Sequence, residues 1–200
     1  EDKGERAVSL RPEMTPTVAR MIATRERHYK KPIKWYSFPQ VFRYERQQKG
    51  RLREHFQFNA DIFGDTDPAT DAELIALLID VLRAFNLTAD DFVIRLSSRN
   101  AWQDFFESQC GDEAKAYEFY QAVDKIERTA PEDSAKKFES LGFTLEKVRS
   151  FIDSGEPTTE LQSVMENLRA RGLEQFVKID YNVIRGLAYY TGVVYEVFDR

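Results

Sequence analysis

The sequence predicts a mixed α+β fold, and three observations carry that prediction. First, residues 41–46 and 53–62 have the pattern of two strands joined by a polar turn, which makes an antiparallel hairpin over about residues 41–62. Second, residues 99–172 contain only short amphipathic helical patterns. Third, strand character returns near the end of the sequence, at Val177–Ile179 and 193–198. We therefore expect an antiparallel sheet flanked by helices and interrupted by a helical insertion.

The elements before the insertion follow from local signals. Thr15 followed by Pro16 is typical of a helix start, with threonine as the N-cap and proline in the first helical position. Residues 33–38 have the composition of a strand that precedes the hairpin. Residues 67–85 repeat the cap-and-proline start and continue as a strong apolar stripe at helical spacing, so a second helix is expected there. A further strand is expected at 92–96.

The helical insertion is expected to contain five helices separated by glycine, proline and charged turns. No strand pattern interrupts them, whereas strand patterns lie on both sides. We interpret this segment as an insertion between two parts of one mixed domain. The expected helices cover 99–108, 113–124, Pro131–Leu141, Leu145–Ser154 and 158–171.

The composition bounds the possible functions. With 200 residues and 42% hydrophobic residues, the chain can build a real core. No apolar run approaches the roughly 18 residues that span a bilayer, so no membrane association is expected. A single cysteine, Cys110, excludes an internal disulfide framework and fits a cytoplasmic protein. Two histidines and one cysteine argue against a structural zinc site.

The charge is unevenly distributed along the chain. The net charge of −5 gives no sign of general nucleic-acid binding. Residues 20–54 nevertheless carry 11 Lys and Arg against three Glu, whereas residues 61–91 are strongly acidic. A local basic region in an acidic protein fits a phosphate-bearing ligand held at one face, and it also fits ordinary solvated surface charge. Both interpretations stay open on charge alone.

The hairpin concentrates arginine and acid residues on one predicted face. Alternate side chains of a strand face the same side, so Arg43 and Glu45 share a face. The opposite face is predicted to be apolar. Arg, Gln and acids make directional hydrogen bonds, which favours a binding site, but a half-exposed sheet has the same period. The residues expected to share the charged face on the returning strand are Arg51, Arg53, His55, Gln57, Asn59 and Asp61.

A second segment, Arg-Gly-Leu-Ala-Tyr-Tyr-Thr-Gly at 185–192, places an arginine, two tyrosines and two glycines next to a strand. By itself this pattern is weak, because Arg185 fits a surface residue and either tyrosine fits the core. Tyr189 and Tyr190 are adjacent in a strand-like run, so at most one of them is expected to point into any one pocket.

Three ordered segments together resemble the histidyl-tRNA synthetases, which are class II aminoacyl-tRNA synthetases. They are Leu-Arg-Pro-Glu-Met-Thr at 10–15, the hairpin over 42–61, which resembles that class's motif 2, and 185–196, which resembles a histidine-specific motif. The resemblance implies the class II antiparallel sheet flanked by helices. It also implies three parts: catalytic residues 1–98, a helical insertion domain at 99–172, and further catalytic residues 173–200.

The resemblance implies that the chain binds ATP, with Mg²⁺ and without a tightly bound metal of its own. Arg43 would hold the α-phosphate and the substrate carboxylate, and Arg185 would approach the same phosphate from the other side, which makes these two the implied catalytic residues. Arg51 would reach the β- and γ-phosphates. The remaining implied ATP contacts are Arg53 along the nucleotide channel, Glu45 at the adenine amino group and His55, stacked on adenine.

The resemblance also implies a site for L-histidine. Glu13, Thr15 and Gln57 would meet its α-ammonium group. A neutral imidazole offers one N–H donor and one nitrogen acceptor, so Asp61 would accept from the first and the Tyr190 hydroxyl would donate to the second. Such pairing rejects other amino acids because their side chains leave buried polar groups unsatisfied. Arg43, Arg185 and Tyr189 complete the implied histidine-binding set.

The implied activity is that of a histidine–tRNA ligase: histidine reacts with ATP to give histidyl-adenylate, and histidine is then transferred to tRNA(His). The family is implied to be homodimeric and cytoplasmic. Its motif 1, motif 3 and anticodon-binding domain are not recognised between residues 1 and 200, so we expect an internal piece that does not aminoacylate by itself. The alternative is a non-catalytic relative, the synthetase-like regulatory subunit of an ATP phosphoribosyltransferase in histidine biosynthesis. Such a regulator can lose the nucleotide-binding cations, whereas this sequence keeps them.

Overall fold

The structure is a computed structural model that describes residues 7–46, 48–109, 112–184 and 190–200. The chain divides into two compact units, Glu1–Thr66 and Asp67–Arg200. Each unit has its own hydrophobic cluster. The expected α+β class is confirmed, because both units combine helices with small, mostly antiparallel sheets. The predicted three-part division at residues 98 and 172 stays a prediction.

The first unit contains the expected hairpin, built from four short strands. The outer ladder pairs β1 (Ile33–Ser37) with β4 (Asn59–Phe63), and the inner ladder pairs β2 (Gln40–Phe42) with β3 (Glu54–Phe56). Both ladders are antiparallel and keep one common register. The strand expected at 41–46 is therefore shorter than predicted, and the returning strand is split in two.

Pro39 explains the interruption between the two ladders. Proline has no backbone N–H and cannot donate to a ladder. Its carbonyl still accepts from the backbone N–H of Gln57 at 3.0 Å, so the register continues across the gap. The rings of Phe38 and Phe58 lie on opposite strands at this point, with centroids 5.0 Å apart. The hairpin is thus one continuous ribbon with a local break.

Helix α1 (Thr15–Arg25) covers one end of the hairpin. It buries Val18 and Ile22 in a cluster with Ile33 of β1. The expected N-cap role of Thr15 is wrong: Met14 occupies the N-cap position, and no side chain caps the helix there. Pro16 does lie in the first turn as predicted, where its missing N–H costs no hydrogen bond.

The second unit is organised around a three-stranded sheet in the order β6–β5–β7. The central strand β5 (Phe92–Ser98) pairs in parallel with β6 (Val177–Ile179) and antiparallel with β7 (Val193–Asp199). The β5–β6 pair adds one parallel ladder to the antiparallel pairing that was expected. β5 is almost fully buried, in keeping with its central place.

The described part of the second unit contains six α-helices, which share one hydrophobic cluster with this sheet, and their bounds closely follow the sequence prediction. The helix ends are well signalled: Thr144 and Thr158 cap two of them with their side chains, and Gly142 ends another at a φ of 91°, where glycine is favoured. The helices are α2 (Pro68–Ala84), α3 (Arg99–Gln109), α4 (Ala116–Asp124), α5 (Pro131–Leu141), α6 (Leu145–Ser154) and α7 (Thr159–Ala170).

The core of the second unit centres on Trp102 of α3, which is fully buried. Its indole Nε1 donates to the backbone oxygen of Tyr181 at 3.1 Å. Its ring lies 4.7 Å from the ring of Phe151 and 5.9 Å from that of Phe119. This contact network joins α3 to α4, α6 and the segment that follows β6. Among the described residues, no helix is both long and apolar enough to cross a membrane.

Candidate active site

Arg43 connects two of the three sequence segments that suggested a site. It lies just past β2, where its backbone N–H donates to the carbonyl of Arg53 at 2.9 Å. Its Nε donates to the carbonyl of Pro12 at 2.9 Å, and its Nη2 donates to Oε1 of Gln57 at 3.3 Å. Within the described part of the chain, Nη1 has no hydrogen-bond acceptor. The guanidinium is therefore held by the protein on one side and available to a ligand oxygen on the other.

The segment that carries Pro12 lies alongside β2. The backbone N–H of Phe42 donates to the carbonyl of Arg11 at 2.9 Å, and the Arg11 side chain donates to the carbonyl of Gln40 at 2.9 Å. These bonds bring Glu13 close to the hairpin. Glu13 lines a surface cavity of about 530 Å³ together with Arg11 and other polar residues. Thr15 is exposed at the first residue of α1, and its hydroxyl is not used as a cap.

Hydrogen bonds at both the oxygen and the nitrogen of its side-chain amide fix the orientation of Gln57. Its oxygen accepts from Arg43, and its Nε2 donates to Oδ1 of Asn59 at 2.7 Å. The residues 43, 57 and 59 were expected on one face of the hairpin, and their hydrogen bonds confirm that placement. A half-buried amide with a fixed orientation presents a defined dipole to a ligand.

The loop end of the hairpin differs from the sequence expectation. Regular pairing stops at Phe42, so the predicted alternation of faces does not hold for residues 44–46 and 51–53. Glu45, Arg51 and Arg53 still come together. Oε2 of Glu45 pairs with Nη1 of Arg51 at 3.1 Å, and the Glu45 carbonyl accepts from Nε of Arg53 at 3.3 Å. These hydrogen bonds, rather than regular strand pairing, bring the three residues together. We call this group the Glu45–Arg51–Arg53 corner.

Tyr44 lies on this corner and is 91% exposed. The guanidinium carbon of Arg53 lies 4.5 Å from the centroid of its ring, which is a cation–π contact. This contact places Arg53 on the side that the sequence assigned to apolar residues. The expected apolar face is itself largely exposed, with Phe56 at 73%. The alternating sequence pattern of the hairpin is the same for an exposed and for a buried apolar face, so it could not predict this exposure.

Asp61 and His55 lie further along the hairpin. Asp61 of β4 is half-buried opposite Trp35, and none of the described residues donates a hydrogen bond to its carboxylate. Burial raises the pKa of Asp61 above its usual value. Such a carboxylate gains from a hydrogen-bond donor supplied by a ligand. His55 of β3 is half-buried opposite Val41.

In the second unit, taken by itself, Tyr190 is 37% exposed. Gly192, two residues on, adopts a φ of 64°, and its carbonyl accepts from the backbone N–H of Arg99 at 2.8 Å. Arg185 and Tyr189 lie outside the described residues, so their roles stay predictions. Cys110 also lies outside them.

Sequence reasoning missed two groups of the site. The carbonyl of Pro12 that fixes Arg43 is a backbone atom, and no residue type signals it. Asn59 was placed on the correct face but was given no role. Within the described ranges, no group of three or more His, Cys, Asp or Glu side chains could hold a metal ion.

Comparison with known proteins relates this chain to one family. The sequence model described as "Histidyl-tRNA synthetase" matches residues 1–200. The histidine–tRNA ligase of Opitutus terrae is 43% identical over the whole chain, which covers 51% of that relative. The chain spans about half the length of the curated relatives it matches.

Solved structures share the fold. A protein from Bacillus halodurans, described as an ATP phosphoribosyltransferase regulatory subunit/histidyl-tRNA synthetase, superposes with a TM-score of 0.80 at 23% identity, over 99% of this chain and 56% of that one. The histidyl-tRNA synthetase of Nostoc gives 0.78 at 24% identity, over 94% of this chain and 48% of that one. At these identities the likeness concerns the fold alone. The family match over the full sequence shows that this chain belongs to the histidyl-tRNA synthetase family.

Proposed function

We propose that this chain carries a large part of the catalytic site of a histidine–tRNA ligase. The reaction would join L-histidine to ATP as histidyl-adenylate with release of pyrophosphate, and then transfer histidine to tRNA(His). The observation that carries the proposal is the position of Arg43. It is fixed by Pro12 and Gln57, beside the segment that contains Glu13 and Thr15, with one guanidinium nitrogen available.

In the first step, a carboxylate oxygen of histidine attacks the α-phosphorus of ATP. A new O–P bond forms, and the bond to the bridging oxygen breaks, so that pyrophosphate leaves. Negative charge spreads over the phosphoryl oxygens in the transition state, and a cation already in place stabilises it without reorganisation. Arg43 is proposed to supply that charge from the hairpin, and Arg185 from the opposite side. ATP enters as its Mg²⁺ complex, so the metal arrives with the substrate.

The Glu45–Arg51–Arg53 corner is proposed to bind the rest of the nucleotide. Glu45 would accept from the adenine amino group, and Arg51 would move to the β- and γ-phosphates. The ion pair that these two now form is partly exposed and worth only about 0–1 kcal/mol, so a polyphosphate can readily replace it. Arg53 would line the nucleotide channel, and the imidazole of His55 would stack on adenine.

The amino-acid side of the site is proposed to read both ends of histidine. Glu13, Thr15 and Gln57 would bind the α-ammonium group. Asp61 would accept from the imidazole N–H, which fits a half-buried carboxylate to which no described residue donates. Tyr190 would donate to the other imidazole nitrogen, and Tyr189 belongs to the same histidine-specific segment.

The proposal extends to the whole protein. Residues 1–98 and 173–200 would form the catalytic domain, and 99–172 the helical insertion domain. The protein would act as a homodimer in the cytoplasm, with ATP, L-histidine and tRNA(His) as substrates.

The regulatory alternative rests on the Bacillus halodurans neighbour, whose description names both functions. The two sequences are only 23% identical, so the similarity concerns the fold alone. The chain keeps all five arginine and glutamate positions assigned to ATP: Arg43, Glu45, Arg51, Arg53 and Arg185. A regulator can lose the cations that bind ATP, whereas this chain keeps them, so the ligase is the better supported function.

Detection of the reaction intermediate tests the proposal. The longest chain that the gene encodes is mixed with L-histidine and MgATP, and the bound products are measured by mass spectrometry. A ligase yields histidyl-adenylate and pyrophosphate, whereas a regulatory subunit binds histidine and leaves ATP intact. Arg185→Ala is expected to lose adenylate formation with histidine still bound, and full activity in that variant contradicts the role of Arg185.

A further inference from the structure

Two carboxylates from different helices lie near the start of β7 in the second unit. Asp71 lies in the first turn of α2, and Glu160 lies in the first turn of α7. Burial and then the neighbouring charge of Glu160 raise the pKa of Asp71. The first turns of α2 and α7 therefore lie side by side. Neither acid has a role in the proposed reaction.

Glu160 closely approaches the backbone of Gly192. A methyl group added at the Cα of Gly192 would lie 3.0 Å from Oε1 of Glu160, which is tighter than an ordinary contact. Gly192 has a φ of 64°, and its carbonyl is held by the backbone N–H of Arg99. The residue at the entrance of β7 is thus enclosed by α3 on one side and by the Glu160 carboxylate on the other.

Tyr195 links Asp71 to Tyr190. Burial first, and then the proximity of Asp71 and Tyr190, raise the pKa of the Tyr195 hydroxyl to about 12. Tyr195 is opposite Leu96 on β5, so its position is fixed by the sheet. Asp71, Glu160, Tyr190 and Tyr195 therefore form one polar cluster around the start of β7, which we call the acid–tyrosine cluster.

We propose that Glu160 is a positioning residue for the histidine site: its carboxylate, packed against Gly192, fixes the turn into β7 and thereby the place of the Tyr190 hydroxyl. This inference rests on the proposed function, in which Tyr190 donates to the substrate imidazole. Because Glu160 lies within residues 99–172, the predicted insertion would take part in substrate selection.

The mechanism is steric, so the shape of residue 160 matters more than its charge. Removing the side chain leaves Gly192 without its neighbour and lets the turn shift. A displacement on the order of 1 Å at a substrate-positioning group can lower a reaction rate by about 10²-fold. Glutamine has nearly the same shape as glutamate and keeps the contact. Histidine binding, and not ATP binding, should respond.

The test measures pyrophosphate exchange and histidine binding by calorimetry in the longest chain that the gene encodes. In Glu160→Ala, the KM for histidine is expected to rise about tenfold or more while the KM for ATP and the thermal midpoint stay unchanged. Glu160→Gln is expected to stay within about twofold of the unaltered protein. Glu166→Ala, an exposed acid on the same helix, is the matched control and is expected to change nothing.

An unchanged histidine KM in Glu160→Ala overturns the inference, and so does an equal rise in both KM values. Should Glu160→Ala unfold, Gly192→Ala applies the same test from the other side of the contact. Its added methyl displaces the carboxylate, and a folded variant with unaltered histidine affinity also overturns the inference. If the unaltered protein shows no histidine-dependent exchange, the proposed function fails instead, so the two failures are distinguishable.

Discussion

Nη2 of Arg43 donates a hydrogen bond to Oε1 of Gln57 across the hairpin, at 3.3 Å. This bond joins the residue proposed to hold the α-phosphate to a residue proposed to bind the amino acid. The histidine carboxylate must lie next to the α-phosphorus of ATP for the reaction to occur. A hydrogen bond between the residues proposed to bind the two substrates therefore helps to fix the distance between those substrates. The same guanidinium reaches back to Pro12, which places the Glu13 segment beside that link.

Arg51→Ala is expected to weaken ATP binding without weakening the fold. The variant loses a partly exposed ion pair with Glu45, which contributes about 0–1 kcal/mol to stability, but it also loses the proposed contact to the β- and γ-phosphates. The KM for ATP should rise about tenfold or more, since one charge-assisted hydrogen bond contributes about 1.5–3 kcal/mol. Steady-state exchange kinetics and urea unfolding measure the two effects. A large loss of stability with an unaltered KM for ATP would show that the pair is structural.

Asp61→Asn is expected to stabilise the fold and to weaken histidine binding. Burial raises the pKa of Asp61 above its ordinary value of 3.8, so the folded chain holds that proton more tightly than the unfolded chain does. The free energy of unfolding therefore decreases as the pH rises through the carboxyl range, and asparagine removes that decrease. Urea unfolding at acidic and neutral pH, with histidine titrations, measures both effects. Reduced stability at neutral pH in the variant, or unchanged histidine affinity, would contradict the assignment.

Tyr195→Phe is expected to protect the second unit against alkali. The pKa of Tyr195 is about 12, above its ordinary value of 10.0, so the folded chain keeps the phenol protonated where the unfolded chain loses the proton. The stability contributed by this difference is complete below about pH 10 and is lost as the pH rises towards 12. Thermal midpoints between pH 8 and pH 11 should fall less in the variant. Equal alkaline losses in both proteins would exclude a buried Tyr195 hydroxyl.

Trp102→Ala is expected to destabilise the second unit by about 3–5 kcal/mol, the usual cost of removing a fully buried aromatic side chain. The loss includes the hydrogen bond to the Tyr181 carbonyl and the ring contacts with Phe119 and Phe151. Urea unfolding followed by circular dichroism measures the change. The matched variant Trp35→Ala removes a half-buried tryptophan and should cost clearly less. Similar losses in the two variants would contradict the central place of Trp102.

The sequence predicted the helices of the second unit because their ends carry strong local signals. Gly142 adopts a left-handed conformation, and Thr144 and Thr158 accept backbone hydrogen bonds as N-caps. The same reasoning was wrong at Thr15, where Met14 takes the N-cap position. A threonine before proline is a statistical signal, which does not fix the N-cap in every sequence.

The shared face of three hairpin residues could be predicted, whereas the ends of the strands could not. Alternation correctly placed Arg43, Gln57 and Asn59 on one face. The early end of β2 and the contact of Arg53 with Tyr44 depend on tertiary hydrogen bonds that no local pattern encodes. The Pro12 carbonyl that holds Arg43 is a long-range backbone contact of the same kind.

The amino-acid dependence of pyrophosphate exchange tests the central claim most directly. In the longest chain that the gene encodes, with saturating MgATP, L-histidine is expected to support exchange of labelled pyrophosphate into ATP, and the other amino acids are expected to stay at background. Arg43→Ala should lower that rate by about 10²–10³-fold, the usual loss for one donor aimed at developing charge. Arg83→Ala, an exposed arginine on α2, should leave it unchanged. Exchange that is absent with histidine, equal with another amino acid, or undiminished in Arg43→Ala would contradict the account.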